Sequence, residues 1–216
     1  MKRIYLFCKG PSLKNINLNE IKDNDRIAWA NVHNMNNGVI NLPKRIDYFF
    51  LRNKNFIEDL DPKEKEIISK IDIKNILTAG VPAETILNKK VLENLSHKEP
   101  FGFDASTGLI ALNYLINLNP KELIVGGFDL FKTGESYYYF DNKKNLTSNK
   151  TLRDQKKKKY VKNNIIINDI KVHPKNETLD YLTKVIEKNS DINFTFYTIS
   201  EELKNNLKKY KNVTIR

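Results

Sequence analysis

A single cysteine, Cys8, stands among the 216 residues, so no internal disulfide can brace the fold. At the end of an apolar run it reads as a small buried hydrophobe rather than a nucleophile. Histidine is nearly as scarce: His33, His97 and His173 are isolated from one another, and no Cys/His cluster has the spacing of a zinc site. Nothing approaches the roughly 18 consecutive apolar residues of a membrane span, and Lys2-Arg3 leads into an apolar stretch too short for a secretory signal. These absences point to a soluble, cytoplasmic chain. Ser/Gly-rich linkers are missing too, and 40% hydrophobic residues suffice for one substantial core, so 1–216 is read as a single domain.

What is plentiful is lysine, and its placement matters more than its number. Of a net charge of +11, the stretch from Asn142 to Lys175 carries +9, with eleven basic residues against Asp154 and Asp169. The rest of the chain is nearly neutral, which describes a neutral domain with a cationic flap rather than a basic nucleic-acid binder. Tyr160 is the only aromatic among those lysines, so a stacking platform for nucleic acid is missing. Long loops of this kind inside compact domains are lids or disordered segments, and a flexible basic lid is expected at 142–172.

Apolar runs rich in Ile, Val, Tyr and Phe recur at Ile4 to Cys8, Ile27 to Ala30, Tyr48 to Leu51, Asn75 to Thr78, Leu123 to Val125 and Phe194 to Tyr197. Helical patterns lie between several of them, at Ala83 to Leu95, Thr107 to Leu118, Glu177 to Lys188 and Glu201 to Tyr210. The alternation predicts an α/β fold, a mostly parallel sheet flanked by helices. Ligands of such sheets bind beyond the carboxyl ends of the strands, so the residues just after each strand are the ones to inspect. They read Lys9-Gly10-Pro11-Ser12, then Asn31, then Gly127-Phe128-Asp129. Ordinary turn chemistry favours the same residue types, so no one of these turns is decisive. In "DASTGLIALNYLI", Ser106, Thr107 and Gly108 open a helix whose free N–H groups attract anions. Late in the chain, His173 precedes another amphipathic helix, where an imidazole is well placed to move protons.

Four pieces stand in order: "GPSLK" after the first strand, "STG" opening a helix, "GGFDLFKTGESYYYFD", and "HPKNETLDYL". The combination resembles the bacterial sialyltransferases of glycosyltransferase family 42, which decorate lipooligosaccharide. The spacing matches along nearly the whole chain, with a shortened middle between Asn53 and Pro100 and a longer insertion before His173. The resemblance implies a Rossmann-like fold of modified GT-A type and CMP-N-acetylneuraminic acid as donor, with no metal cofactor. It implies that Lys9, Gly10, Ser12 and Asn31 line the nucleotide pocket and that Gly127 and Asp129 hold the cytidine. Ser106, Thr107 and Gly108 fall where the family binds the donor sugar and its carboxylate. Ser136 and Tyr137 match a "GxSY" segment whose tyrosine bonds the departing phosphate, and His173 matches the general base.

The chain departs from the family at four places. Lys9 stands where asparagine is usual, Asp104 in the place of an arginine, Phe131 in that of a second phosphate-binding tyrosine, and Ile170 in that of a tyrosine before the base. The resemblance therefore implies a metal-independent, inverting glycosyltransferase passing sialic acid or a related nonulosonic acid to a surface glycan, lipooligosaccharide or capsule. The alternatives are a CMP-sugar-binding homologue with weak or no turnover, and a transferase using another donor such as CMP-Kdo. A metal-dependent transferase would need a DxD motif, for which "DND" (Asp23 to Asp25) and "DLD" (Asp59 to Asp61) are candidates. Partners implied are the CMP-sugar, a glycan acceptor and an anionic membrane surface on the cytoplasmic side, reached by the flap and by Lys204, Lys208, Lys209 and Lys211. A homo-oligomer is in keeping with the family, and nucleic acid is not expected.

Overall fold

The structure is a computed structural model that describes residues 3–31, 43–52, 62–80, 82–103, 105–130 and 175–216. Its centre is β1 (Arg3–Phe7), and the chain first winds outward on one side through β2 (Arg26–Ala30), β3 (Arg45–Leu51), α1 (Pro62–Ser69) and β4 (Asp72–Ala79). A hairpin of β5 (Thr85–Ile86) and β6 (Lys89–Leu95) ends that half. Helix α2 (Thr107–Asn117) then carries the chain back across the sheet to β7 (Glu122–Gly126), on the other side of β1. The second half runs through α3 (Lys175–Lys188), β8 (Asn193–Tyr197), α4 (Glu201–Leu207) and β9 (Val213–Ile215). The strand order is β5-β6-β4-β3-β2-β1-β7-β8-β9, and every pairing is parallel except that of β5 with β6. The expected mostly parallel α/β sheet is what the chain forms.

The strands read as continuous apolar runs because both sheet faces are covered. Ile4, Leu6 and Cys8 point into one layer with Leu109, Leu112 and Leu115 of α2, Leu182 and Ile186 of α3, and Leu203 and Leu207 of α4. Tyr5 and Phe7 point the other way, into a layer closed by Leu13 and Ile16 of a 3-10 turn and by Ile68 of α1. On β3, Phe49 and Phe50 enter opposite layers and both are fully buried; each such side chain contributes about 1.5–3 kcal/mol through burial. The amino-terminal edge of the sheet is stitched by ion pairs. Asp25 takes Arg3 through two hydrogen bonds, and Asp47 takes Arg26 and Arg45 as well as the Ile27 N–H.

The expected helix from Ala83 to Leu95 is instead the β5–β6 hairpin. Leu87 and Asn88 at its tip both have positive φ, 53° and 56°, the geometry of a two-residue type I′ turn, and Val91 pairs with Ile76 of β4. Sheet pairing decides the segment over its local periodicity. Helix α1 and strand β9 were not anticipated. The last helix stops at Leu207 rather than Tyr210, where Tyr210 N–H already turns back to the Leu207 carbonyl. The expected lid at 142–172 lies outside the described residues.

Candidate functional site

Strand order reverses direction at β1: β2 lies on one side, and β7, reached only after the long return through α2, lies on the other. A crevice opens at such a switch point, beyond the carboxyl ends of the strands. The segments that meet there are Cys8 to Ser12 after β1, Gly127 to Asp129 after β7, Thr198 to Ser200 after β8, and the start of α2.

Two buried side chains hold these segments in register. The Ser12 hydroxyl, 0% exposed, donates to the Tyr197 carbonyl at 2.8 Å and accepts the Gly127 N–H at 3.0 Å. The Asp129 carboxylate, 6% exposed, accepts the Ser12 N–H at 2.9 Å, the Thr198 hydroxyl at 2.9 Å and the Ile199 N–H at 3.0 Å. One carboxylate and one hydroxyl thus join the ends of β1, β7 and β8. Their polar atoms are spent within the protein, so what they present to the crevice is backbone geometry.

The glycines there answer to the same packing. A Cβ on Gly10 would run into the Asp129 carboxylate and come within 2.6 Å of the Gly127 carbonyl oxygen, which already accepts the Gly10 N–H at 2.7 Å. Gly127 has φ +74°, and a Cβ on it would lie 2.5 Å from the Cys8 oxygen. Only glycine satisfies that backbone and that closeness together.

Helix α2 begins against the same place. Ser106 caps it, its hydroxyl accepting the Leu109 N–H at 3.2 Å. A Cβ on Gly108 would stand 2.9 Å from the Cys8 sulfur, so the missing side chain lets the helix start close directly onto the end of β1. The Thr107 and Gly108 N–H groups sit in the helix's first turn, where no intrahelical acceptor exists. Burial pushes the Cys8 thiol well above its ordinary pKa, keeping it protonated and unsuited to attack.

On the β2 side, Asn31 has φ 62°, a left-handed conformation that asparagine tolerates. Its N–H donates to the Phe50 carbonyl at 2.7 Å and its Oδ1 accepts the Arg52 N–H at 3.0 Å. Arg52 was not singled out in the sequence. Its side chain passes over Gly80, where a Cβ would lie 3.0 Å from Nε, and Nη1 donates to the Ala105 carbonyl at 3.2 Å. A guanidinium therefore stands at the helix start, on the Ala105 carbonyl; Asp104 lies outside the described residues. Thr198 was also missed, although it follows a strand just as Asn31 does.

The structure thus gathers Lys9, Gly10, Ser12, Asn31, Ser106, Thr107, Gly108, Gly127 and Asp129 along one edge of the sheet. Ser136, Tyr137 and His173 lie outside the described residues, as do Asp59 to Asp61. Asp25 of "DND" precedes β2 at the opposite edge, with its carboxylate bound by Arg3 and the Lys22 N–H. Among the described residues no group of three or more His, Cys, Asp or Glu side chains could hold a metal, and no helix is long and apolar enough to cross a membrane. Of the C-terminal lysines, Lys204 pairs with Glu201 at 2.7 Å and Lys208 donates to Asn205 at 3.0 Å.

Solved structures share this fold across nearly the whole chain. The monofunctional alpha-2,3-sialyltransferase Cst-I from Campylobacter jejuni superposes with a TM-score of 0.64 at 17% identity, covering 98% of this chain and 81% of that one. The sialyltransferase CstII from the same organism, in complex with the substrate analogue CMP-3FNeuAc, gives 0.58 at 15% identity over 100% and 86%. CstII in complex with a trisaccharide acceptor and CMP gives 0.54 at 17% over 94% and 84%. No protein-family model matches the sequence, and no curated protein does. At these identities the likeness is one of fold.

Proposed function

We propose that the chain is a glycosyltransferase that moves a sialic acid, or a related nonulosonic acid, from a CMP-activated donor to a hydroxyl of a glycan acceptor. The observation that carries this reading is the fold shared over 94–100% of this chain with sialyltransferases, one of which, CstII, is in complexes with a CMP-sugar analogue and with CMP. Beside it stands the convergence of the post-strand residues and the α2 start at the switch point. There Lys9, Gly10, Ser12, Asn31, Gly127 and Asp129 form the nucleotide end, and Ser106, Thr107 and Gly108 face the donor's anionic sugar. Ser136, outside the described residues, is assigned to donor binding through the resemblance of its "GESY" segment alone.

In the proposed reaction, His173 removes the proton from the acceptor hydroxyl as its oxygen bonds to the donor's anomeric carbon. The bond from that carbon to the phosphate oxygen breaks, and CMP leaves with the electron pair. An imidazole with an ordinary pKa of about 6.5 can accept that proton near neutral pH. Tyr137 donates to the departing phosphate, and attack from the opposite face inverts the anomeric centre. The reaction is proposed to need no metal ion.

The departures at Phe131 and Ile170 remove two hydroxyls and favour a second reading, a CMP-sugar-binding homologue without turnover. Transfer and hydrolysis of CMP-N-acetylneuraminic acid, measured with wild type and His173→Ala and repeated with EDTA, separate the readings. Turnover that depends on His173 and survives chelation is expected. Donor binding without His173-dependent turnover supports the second reading, and loss of turnover with EDTA overturns the metal-independent mechanism.

A further inference from the structure

Away from the switch point, a cleft of about 260 Å3 opens between β6 and the exposed flank of α2, roofed by the segment after β6. Helix α2 packs chiefly over β1 to β4, and the cleft lies along its flank toward β6. A shift in pairing between Ile76↔Val91 and Leu77↔Glu93 sets Leu92 aside as a bulge. The bulge brings Glu93 onto the helix-covered face, in line with buried Leu77.

The lining is unusual for this chain. Of 216 residues 37 are Lys or Arg, yet none of the eleven cleft residues is basic. Glu93 and Glu99 supply carboxylates, Asn113 and Asn117 supply amides, and Phe101 and Tyr114 supply aromatic surface. Asn113 gives its carbonyl oxygen to the Tyr181 hydroxyl at 2.7 Å, which leaves its amide nitrogen as a donor with no acceptor among the described residues. Glu93 acts electrostatically on the half-buried Tyr114 ring, whose phenol is raised by burial first and by Glu93 next.

Two carboxylates with no basic side chain among the described lining residues repel phosphates, nucleotides and sialic acids, so this cleft is no part of a donor pocket. Alternating acceptors and amide donors around an aromatic face suit a ligand that is neutral and carries many hydroxyls. The volume lies just under the range of about 300–1,000 Å3 for drug-sized ligands, room for one or two sugar rings. Ile110 in the wall sits one helical turn beyond the α2 start, so a glycan in the cleft lies along α2 and leads toward the switch point.

We propose that this cleft binds neutral sugar residues of the acceptor glycan, the units that do not react. The word acceptor rests on the transfer reading above; the binding itself does not. The test uses wild type, Glu93→Lys and Asn117→Ala, both positions being solvent-exposed. Saturation-transfer NMR and titration with a neutral hexose trisaccharide, its sialylated counterpart and spermidine measure binding. The transfer assay measures acceptor KM, donor KM and kcat.

The neutral trisaccharide is expected to bind wild type better than either charged probe. Glu93→Lys should weaken it about tenfold, the share of one charge-assisted hydrogen bond. Acceptor KM should rise by a similar factor while donor KM and kcat hold. Neutral-sugar binding that depends on Glu93 in a protein that transfers nothing keeps the cleft and removes the transfer reading. Transfer with an acceptor KM indifferent to both substitutions removes the cleft and keeps the transfer reading. Preference for spermidine, or no neutral-sugar binding, overturns the proposal.

Discussion

Removing the Asp129 carboxylate probes the tie between the ends of β1, β7 and β8. Asp129→Ala takes the acceptor from three donors, and their environments set the cost of each. The Ser12 N–H, in a residue with 0% exposure, cannot reach water and bears the full penalty. The Thr198 hydroxyl can turn to the Phe128 carbonyl, which it already meets at 3.3 Å. The Ile199 N–H belongs to a half-buried residue and can find solvent. With about 1–3 kcal/mol for a buried orphan and less for the other two, the expected loss is about 2–4 kcal/mol. For a chain of this size that lowers Tm by about 10 °C. Asp129→Asn keeps one oxygen and sets an NH2 against one donor, so about half the loss is expected. Denaturant titration at constant m-value measures each step. A loss below about 1 kcal/mol for Asp129→Ala would refute the reasoning, because an orphaned Ser12 N–H alone should cost that much.

Two further outcomes follow from the same geometry. Gly127→Ala forces a side chain into a left-handed backbone 2.5 Å from the Cys8 oxygen; a stability loss of at least about 2 kcal/mol is expected, and an unchanged denaturation midpoint would contradict the packing. Burial alone would raise the Asp25 and Asp47 carboxyls. For Asp25 the Arg3 guanidinium and Lys22 N–H outweigh it, for Asp47 the Ile27 N–H and Arg26, and both titrate below the usual carboxylate range. Folded pKa values below the unfolded value of about 3.9 mean that this stabilisation is complete above pH 4 and is lost as pH falls through the folded values. The unfolding free energy of wild type should therefore drop steeply below pH 4, and an Asp25→Asn, Asp47→Asn protein should show a shallower drop; equal slopes would count against these ion pairs.

The strands were legible because burial on both faces writes them as unbroken apolar runs, as in Ile4 to Cys8. The rule of inspecting the residue after each strand singled out Gly10, Ser12, Asn31, Gly127 and Asp129, which lie together at the carboxyl edge of the sheet. What it could not show is the internal network that Ser12 and Asp129 also make, with partners at Tyr197, Thr198 and Ile199. Gly108 signalled a close approach, and the approaching group is Cys8 of the protein itself. The hairpin after β4 was illegible because Leu87-Asn88 is not the Asn-Gly pair that announces such a turn, while Ile86, Val91 and Leu95 imitate a helical face. Arg52 escaped notice because its relation to Gly80 and Ala105 arises only once the ends of β3 and β4 and the start of α2 are side by side.

The donor assignment is tested most directly by the thermal stability of the chain with CMP, CMP-N-acetylneuraminic acid and CMP-Kdo, against UMP as control. A ligand that binds only the folded state adds about 2.7 kcal/mol at a hundredfold excess over its Kd, a rise of about 5–10 °C for a protein of this length. A rise of that order with CMP and with one CMP-sugar, and none with UMP, is the expected result. No rise with any cytidine ligand would contradict the account.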